Sequence, residues 1–170
     1  MGRFTATFES QTAQPAGLPV TTTFNGWIGS LQAGAAANYK WRRLRLGVRA
    51  GGTVPTSQQV TVSVYRQTVR VAGTGFSTRV GLNLDPRGAA TAITGADFAT
   101  AAAAGTTGPT LATNPIDLIT FNDQSGYDIP YEMLDEWICD LGTANGIALV
   151  NMGNALPVAH LFTVLYVWDE

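Results

Sequence analysis

The stretch WRRLRLGVRAGG, residues 41–52, alternates between charged and apolar side chains. The even-numbered positions hold Leu44, Leu46 and Val48, and the odd-numbered ones hold Arg43, Arg45 and Arg49. A repeat of two is the pattern of a β-strand that has one face against a core and the other toward water. The stretch therefore predicts a strand over residues 39–50 and leaves open what its arginines contact.

Eight further segments are predicted to be strands, and turn-forming Gly, Pro, Asn and Asp residues separate them. They are residues 3–9, 20–28, 59–71, 78–84, 116–121, 134–140, 146–152 and 160–169. With 19 glycines, 8 prolines and 45% hydrophobic residues, the composition is that of a β-rich globular protein. We predict an all-β fold, an antiparallel jelly-roll-like β-sandwich over residues 31–170, preceded by an N-terminal strand or arm over residues 1–30.

The predicted core is built from the apolar positions of three of these strands. Its members are Leu44, Leu46, Val48, Val60, Val62, Val64, Val80, Leu82 and Leu84. One connection differs from the others, because residues 88–110 consist almost wholly of Ala, Thr and Gly. Within it Asp97 fits the N-cap of a helix and Gly105 its C-terminal stop, so we predict one short helix in this long connection.

The charges are distributed unevenly along the chain. Residues 1–87 hold all ten basic residues and two carboxylates, a net charge of +8, whereas residues 88–170 hold ten carboxylates and no Lys or Arg, a net charge of −10. DNA-binding domains generally carry a positive field that is not compensated, so the pattern favours ion pairs over a nucleic-acid surface. We predict that Arg42, Arg43, Arg45 and Arg49 meet carboxylates of residues 88–170, within one subunit or across an interface. An acidic patch on another protein is the alternative partner.

The strand predicted at residues 160–169 is apolar on both faces. One face holds Leu161, Leu165 and Val167, and the other holds Phe162, Val164, Tyr166 and Trp168. Only one face of a strand packs on the core of a sandwich, so a second apolar face indicates cover by a loop, an arm or another subunit. We predict a trimer whose interface includes Leu161, Phe162, Val164, Tyr166 and Trp168.

No arrangement of residues in the sequence is specific for catalysis. His160 is the single histidine, and no G-x-S-x-G motif accompanies it. Six carboxylates fall within 18 residues, namely Asp123, Asp128, Glu132, Asp135, Glu136 and Asp140. Paired carboxylates hydrolyse glycosides, and Asn122, Asp123 and Asp128 offer oxygens to calcium, although the ordered calcium-loop motif is missing. We expect no enzymatic activity and no cofactor, and we leave cation binding by the loop at 122–140 open.

The remaining features leave one further alternative. Four tryptophans, Trp27, Trp41, Trp137 and Trp168, are candidates for stacking on sugars, although packing in a core is the simpler interpretation. Cys139 is the single cysteine, which excludes an internal disulfide and indicates a reducing compartment. The first residues lack the apolar stretch of a signal peptide, and no run of residues reaches the length of a membrane span.

Several stretches together resemble the small jelly-roll virion structural proteins of tailed bacteriophages, of the kind that decorate or cement capsids. They are WRRLRLGVRAGG (41–52), QQVTVSVYRQTVRVAGTGFSTRVGLNLDP (58–86), the Ala/Thr/Gly-rich connection that follows, and GIALVNMGNALPVAHLFTVLYVWDE (146–170). The resemblance covers residues 39–170 and is one of pattern and composition. It implies a non-enzymatic protein, assembled in the host cytoplasm, that sits on the capsid surface as a trimer.

In that group, the copies are often trimers and clamp neighbouring subunits of the major capsid protein lattice. For this protein we expect no direct contact with nucleic acid and no contact with a membrane. We therefore expect a capsid decoration or cement protein. A carbohydrate- or receptor-binding tail module of a phage is the alternative.

Overall fold

A computed structural model describes the chain over residues 2–10, 16–19, 25–50, 57–101, 108–132, 136–157 and 159–170. Within these segments every regular element is a β-strand, and the strands form two antiparallel sheets. The prediction of an all-β, antiparallel β-sandwich is therefore confirmed.

Thirteen strands follow one another along the described chain. In chain order they are β1 (Arg3–Glu9), β2 (Trp27–Gln32), β3 (Tyr39–Arg49), β4 (Gln59–Val69), β5 (Phe76–Arg79), β6 (Leu82–Asn83), β7 (Gly95–Ala99), β8 (Thr110–Leu111), β9 (Asp117–Asn122), β10 (Tyr127–Pro130), β11 (Ile138–Cys139), β12 (Gly146–Asn151) and β13 (Leu161–Asp169). Of the predicted strand at 20–28, residues 20–24 lie outside the described residues, as do residues 134 and 135 of the strand predicted at 134–140.

Sheet A has the strand order β10-β3-β13-β1-β6, and β11 also pairs with β3. Sheet B has the order β5-β7-β2-β12-β4-β8, and β9 also pairs with β4. The chain passes from sheet B to sheet A four times, and two of these passages, between β5 and β6 and between β9 and β10, join edge strands. These two crossings lie at opposite lateral sides of the sandwich, and we call them the β5–β6 side and the β9–β11 side.

The main core lies between the sheets, and the alternation along each strand decides which residues enter it. Leu44 and Leu46 of β3 are at most 1% exposed, and the three valines of β4, Val60, Val62 and Val64, are fully buried. Val48, near the end of β3, is partly buried and packs against the same cluster. Burial of each such side chain contributes about 1.5–3 kcal/mol, so the predicted core positions on these two strands supply much of the driving force for folding.

The inner strands of sheet B are covered on both faces. All residues of β2, β7 and β12 are buried. On the face that points away from sheet A, Trp27, Val71, Ala99 and Ala148 form a second buried cluster. Phe76 of β5, Leu111 of β8 and Ala101, which follows β7, pack against this cluster.

The predicted strand at 78–84 is divided between the two sheets. The chain leaves β5 and enters β6 through Val80 and Gly81. A Cβ on Gly81 would lie 2.4 Å from the Trp168 indole, so this ring packs directly on the backbone at the crossing. Where the chain crosses between the sheets it runs along the outside of the sandwich, so the apolar side chains there are directed toward solvent. Their predicted place in the core is wrong: Val80, Leu82 and Leu84 are 66%, 71% and 54% exposed.

The helix predicted in the Ala/Thr/Gly-rich connection is also wrong over its described residues. Residues 95–99 form β7, and the described chain contains no helix. Asp97 is not an N-cap, since it lies in mid-strand with a fully buried side chain. Residues 102–107, which include Gly105, lie outside the described residues. Pairing of β7 with both β2 and β5 outweighs the helix propensity of alanine.

A β-bulge interrupts the alternation of β3. Val167 of β13 lies opposite Arg43 and the next residue, Trp168, lies opposite Trp41, so Arg42 is the extra residue. As a result Trp41 and Leu44 both point into the core although they are three positions apart. The bulge places Arg42 beside the end of β13.

The N-terminal region contributes to the body of the sandwich. Residues 3–9 form β1, an inner strand of sheet A that pairs with β13 along its whole length. β2 runs through residue 30, the boundary predicted between the arm and the domain. The described part of this region is therefore continuous with the sandwich.

Candidate interaction surface

The outward face of sheet A differs from that of sheet B, because its central strand is only partly covered. The register pairs Arg43, Val167 and Thr5 in one row and Arg45, Leu165 and Thr7 in the next. The outward residues of β13, Leu161, Thr163, Leu165 and Val167, are all of intermediate exposure. These four residues and their outward neighbours on the adjoining strands, Thr5 and Thr7 of β1 and Arg43 and Arg45 of β3, form a surface that we call the open face.

Two arginines of the open face share one carboxylate. Both Nε and Nη2 of Arg43 donate to Asp128 on β10, at 2.7 and 2.6 Å. Arg45 donates to Oδ2 of the same carboxylate at 3.1 and 2.8 Å. The Arg43 hydrogen bonds are the main reason that the pKa of Asp128 falls to about 2. Asp128 therefore stays ionised and binds two guanidinium groups.

Arg42 reaches two carboxylates at the end of β13. It forms ion pairs with Glu136 and, through Nε at 2.5 Å, with Asp169. Arg3 of β1 donates to the other oxygen of Asp169 at 2.8 Å. The hydrogen bond from Arg3, followed by that from Arg42, lowers the pKa of Asp169. The side chains of Glu136 and Asp169 are only 7% and 6% exposed. They are therefore less solvated than Asp128 and Glu9, which pair with the other three arginines of β3.

The fourth arginine departs from the prediction. Arg49 pairs with Glu9 of β1, with Nε 2.8 Å from Oε1, and Glu9 belongs to the first half of the chain. Ion pairs with carboxylates of residues 88–170 are thus confirmed for Arg42, Arg43 and Arg45 and wrong for Arg49. The sequence could not reveal the partner of Arg49, because it depends on the position of β1 beside β13.

The structure separates the two faces of β13. Phe162, Val164, Tyr166 and Trp168 are at most 3% exposed and belong to the main core. Because these four side chains are buried within a single chain, they cannot contact a second subunit. Their assignment to a subunit interface is therefore wrong. Leu161 lies on the open face and, of the five predicted interface residues on this strand, remains accessible to a partner.

The residues considered for chemistry do not come together. His160 is 1% exposed, and Asp128 is held by two arginines. The Asn122 side chain accepts a hydrogen bond from the Gln124 amide and donates one to the Ser57 hydroxyl. In the part of the chain that the structure describes, no group of three or more His, Cys, Asp or Glu side chains is placed to hold a metal ion.

The tryptophans do not form a stacking platform. Trp27, Trp41 and Trp168 are fully buried. Trp137 is partly buried and packs against Trp41, with ring centroids 5.3 Å apart, and against Tyr131 at 4.5 Å. Trp41, Trp137 and Trp168 therefore pack between the sheets and Trp27 packs in the second cluster, so these tryptophans offer no surface for stacking on sugars.

One charged site was missed by sequence reasoning. Arg70 donates to both oxygens of the fully buried Asp97, at 2.6 and 2.8 Å, and the Thr78 hydroxyl donates to Oδ1 at 2.5 Å. This cluster joins the end of β4 to β7 and β5. The sequence held one indication of this site, because Asp97 is a single carboxylate within a long run of Ala, Thr and Gly. A carboxylate in such a segment is either exposed to solvent or, when buried, paired with a cation.

A cavity of about 600 Å³ adjoins the open face where β1 extends beyond its short neighbour β6. Its lining includes Thr7, Glu9, Arg45, Arg79 and Phe98. Arg79 lies over the Phe98 ring, 6.0 Å from the ring centre. The lining is a mixture of guanidinium, hydroxyl and apolar groups, which suits contact with another surface.

Comparison of the chain with protein-family models, with curated proteins and with solved structures finds no match. None of the described elements is a helix long and apolar enough to cross a membrane.

Proposed function

We propose that the protein is a non-enzymatic structural component of a virion, a capsid decoration or cement protein that binds the coat lattice through its open face. The observation that carries the proposal is the contrast between the two sheets. Sheet B has buried strands with cover on both faces, whereas the central strand of sheet A presents Leu161, Leu165 and Val167 partly to solvent. A broad, ordered and half-apolar sheet face suits attachment to another protein surface.

A jelly-roll topology for the sandwich is part of this proposal. Eight strands, β1, β2, β3, β4, β9, β10, β12 and β13, support it through their pairing. The first pairs with the eighth, the second with the seventh, the third with the sixth and the fourth with the fifth. These pairs alternate between sheets A and B, as they do when a long antiparallel ribbon is rolled up. In this arrangement β5, β6, β7 and β8 are an insertion between the fourth and fifth strands.

The arginines of the open face are suited to a lattice contact. Their carboxylate partners hold them in fixed positions, so a partner does not have to order long flexible side chains. Arg43 and Arg45 share a single carboxylate, which leaves one positive charge in excess at this place. A complementary coat surface therefore carries carboxylates around an apolar centre, and attachment weakens as the salt concentration rises.

The test is co-sedimentation of the protein with undecorated heads of the phage that encodes it. We expect saturable binding that Leu165→Glu abolishes, since Leu165 lies in the middle of the open face. Met152→Glu is the matched control, because Met152 is 39% exposed at the end of a central strand of sheet B. Absence of binding to the heads, or equal binding by both variants, would overturn the proposed function. Binding to host-cell glycans in place of heads would favour the receptor-binding alternative.

A further inference from the structure

The large apolar side chains that are well exposed are concentrated at the two lateral sides of the sandwich. In the described residues there are nine of them, and six lie at these sides. Val80, Leu82 and Leu84 line the β5–β6 side at 66%, 71% and 54% exposure. Leu118 of β9, Ile138 of β11 and Leu141, which follows β11, are 61%, 41% and 55% exposed on or next to the edge strands of the β9–β11 side. Groups of three exposed apolar residues at edge strands are expected where another protein binds.

The β5–β6 side carries a cation without a carboxylate partner. Arg79 ends β5 and forms no ion pair with any described carboxylate, and its guanidinium rests on the Phe98 ring. Val80 follows it directly in the chain, so the positive charge borders the apolar group. Arg3, whose side chain is 55% exposed, lies nearby because its carbonyl accepts the amide of Leu84.

The β9–β11 side carries the opposite charge. Asp117 precedes Leu118, and Asp140 precedes Leu141. Neither of these aspartates nor Glu132, which follows β10 on the same side, forms an ion pair within the described chain. Arg66 reaches this side as well, and it donates to the carbonyl of Ile138 at 2.8 Å. The side therefore presents apolar residues among carboxylates that have no cationic partner in the described residues.

The two sides cannot meet within one chain. They lie at opposite ends of the strand order β10-β3-β13-β1-β6, and four spacings of about 4.8 Å separate the edge strands. Their apolar groups and their unpaired charges can be matched only between different copies. We propose that the β5–β6 side of one copy binds the β9–β11 side of the next, with Arg79 facing the unpaired carboxylates.

Such a contact is head-to-tail, because each copy uses two different surfaces. Head-to-tail contacts close into a ring when the rotation allows, and three copies make the smallest ring of this kind. The contact is centred on the edge strands of the sandwich, whereas the proposed contact with a coat lattice is centred on Leu161, Leu165 and Val167 of β13. Different variants test the two proposals, so either can fail alone.

The test uses two variants, each with one side blocked, and sedimentation velocity at micromolar protein concentration. Leu82→Glu blocks the β5–β6 side and Leu118→Lys blocks the β9–β11 side. We expect the unmodified protein to sediment as an oligomer and each variant alone as a monomer, with affinity reduced about 30-fold or more. An equimolar mixture of the two variants is expected to form a heterodimer, because each variant keeps the side that the other needs.

Met152→Glu is again the control and is expected to leave the oligomer unchanged. Circular dichroism and thermal unfolding establish that each variant keeps the fold. A monomeric unmodified protein would overturn the proposal. So would variants that assemble like the unmodified protein, or a mixture that stays monomeric.

Discussion

The hydroxyl of Tyr39 lies between the backbones of two strands in the opposite sheet, where it donates to the Leu31 carbonyl at 2.6 Å and accepts from the Ile147 amide at 3.1 Å. Leu31 and Ile147 face each other across β2 and β12. A side chain of sheet A thus takes part in the hydrogen bonding of sheet B. Burial raises the pKa of Tyr39 well above its ordinary value, so the hydroxyl keeps the proton that it donates.

We expect Tyr39→Phe to destabilise the protein by about 1–3 kcal/mol, because the substitution removes two hydrogen bonds to buried backbone groups. The free energy of unfolding in urea measures the effect. Tyr166→Phe is the matched control: its hydroxyl is also buried, but it has no hydrogen-bond partner among the described residues. Removing that hydroxyl should leave stability unchanged or raise it. Equal destabilisation by the two substitutions would show that the hydroxyl of Tyr39 has no special role.

The ion pair of Arg70 with Asp97 is expected to matter far more than the exposed ones. Arg70→Met leaves a fully buried carboxylate with the Thr78 hydroxyl alone, and we expect a loss of about 3–5 kcal/mol in unfolding free energy. Adding Asp97→Asn should recover part of the loss, since no charge then remains buried. Arg87→Met is the control. Its pair with Asp85 is solvent-exposed, so no measurable change is expected.

Much of the sandwich was predictable from sequence because its main strands alternate cleanly. Predicted strands coincide with β1, β3, β4, β9, β12 and β13 within two residues at each end. The failures have a common cause. At 78–84 the alternation is real, but the chain crosses between sheets there, and at 95–99 local propensity favours a helix while pairing with two neighbours imposes a strand. Neither crossing nor pairing is encoded in a local pattern.

The titration of Asp128 directly tests its ion pairs with Arg43 and Arg45. In the folded protein its pKa is about 2, below the ordinary value of 3.8. A depressed pKa means that the ionised carboxylate stabilises the fold above about pH 4, and that this contribution is lost as the pH falls through 2. Nuclear magnetic resonance of the carboxyl carbon should show the midpoint near 2. Arg43→Gln should raise the midpoint, and Arg45→Gln should raise it less, because the hydrogen bonds from Arg43 make the larger contribution.

The charge pattern of the sequence predicted the kind of site but not its full membership. The net charges of the two halves pointed to ion pairs for Arg42, Arg43 and Arg45 because oppositely charged strands that share a sheet can lie side by side. The prediction was wrong for Arg49 because its partner, Glu9, also belongs to residues 1–87. Glu9 lies on β1, which the sheet topology places beside β13. The interface assigned to Phe162, Val164, Tyr166 and Trp168 failed because a strand with two apolar faces does not reveal which face is inside.

The Cys139 thiol is expected to be unreactive in the native protein. It is 3% exposed, and burial raises its pKa, so little thiolate is present at neutral pH. Alkylation followed by mass spectrometry should show slow modification in buffer and complete modification in denaturant. Native labelling as rapid as that of a free thiol would contradict the buried position.

Pairing between β1 and β13 has a consequence for the order of folding during synthesis. The two strands are 166 residues apart at the Arg3–Asp169 contact, and β13 also separates β1 from β3. Proteins dominated by such distant contacts fold over milliseconds to seconds, and their strand edges are exposed until the contacts form. On the ribosome, β1 and β3 remain without the strand that lies between them until β13 has emerged.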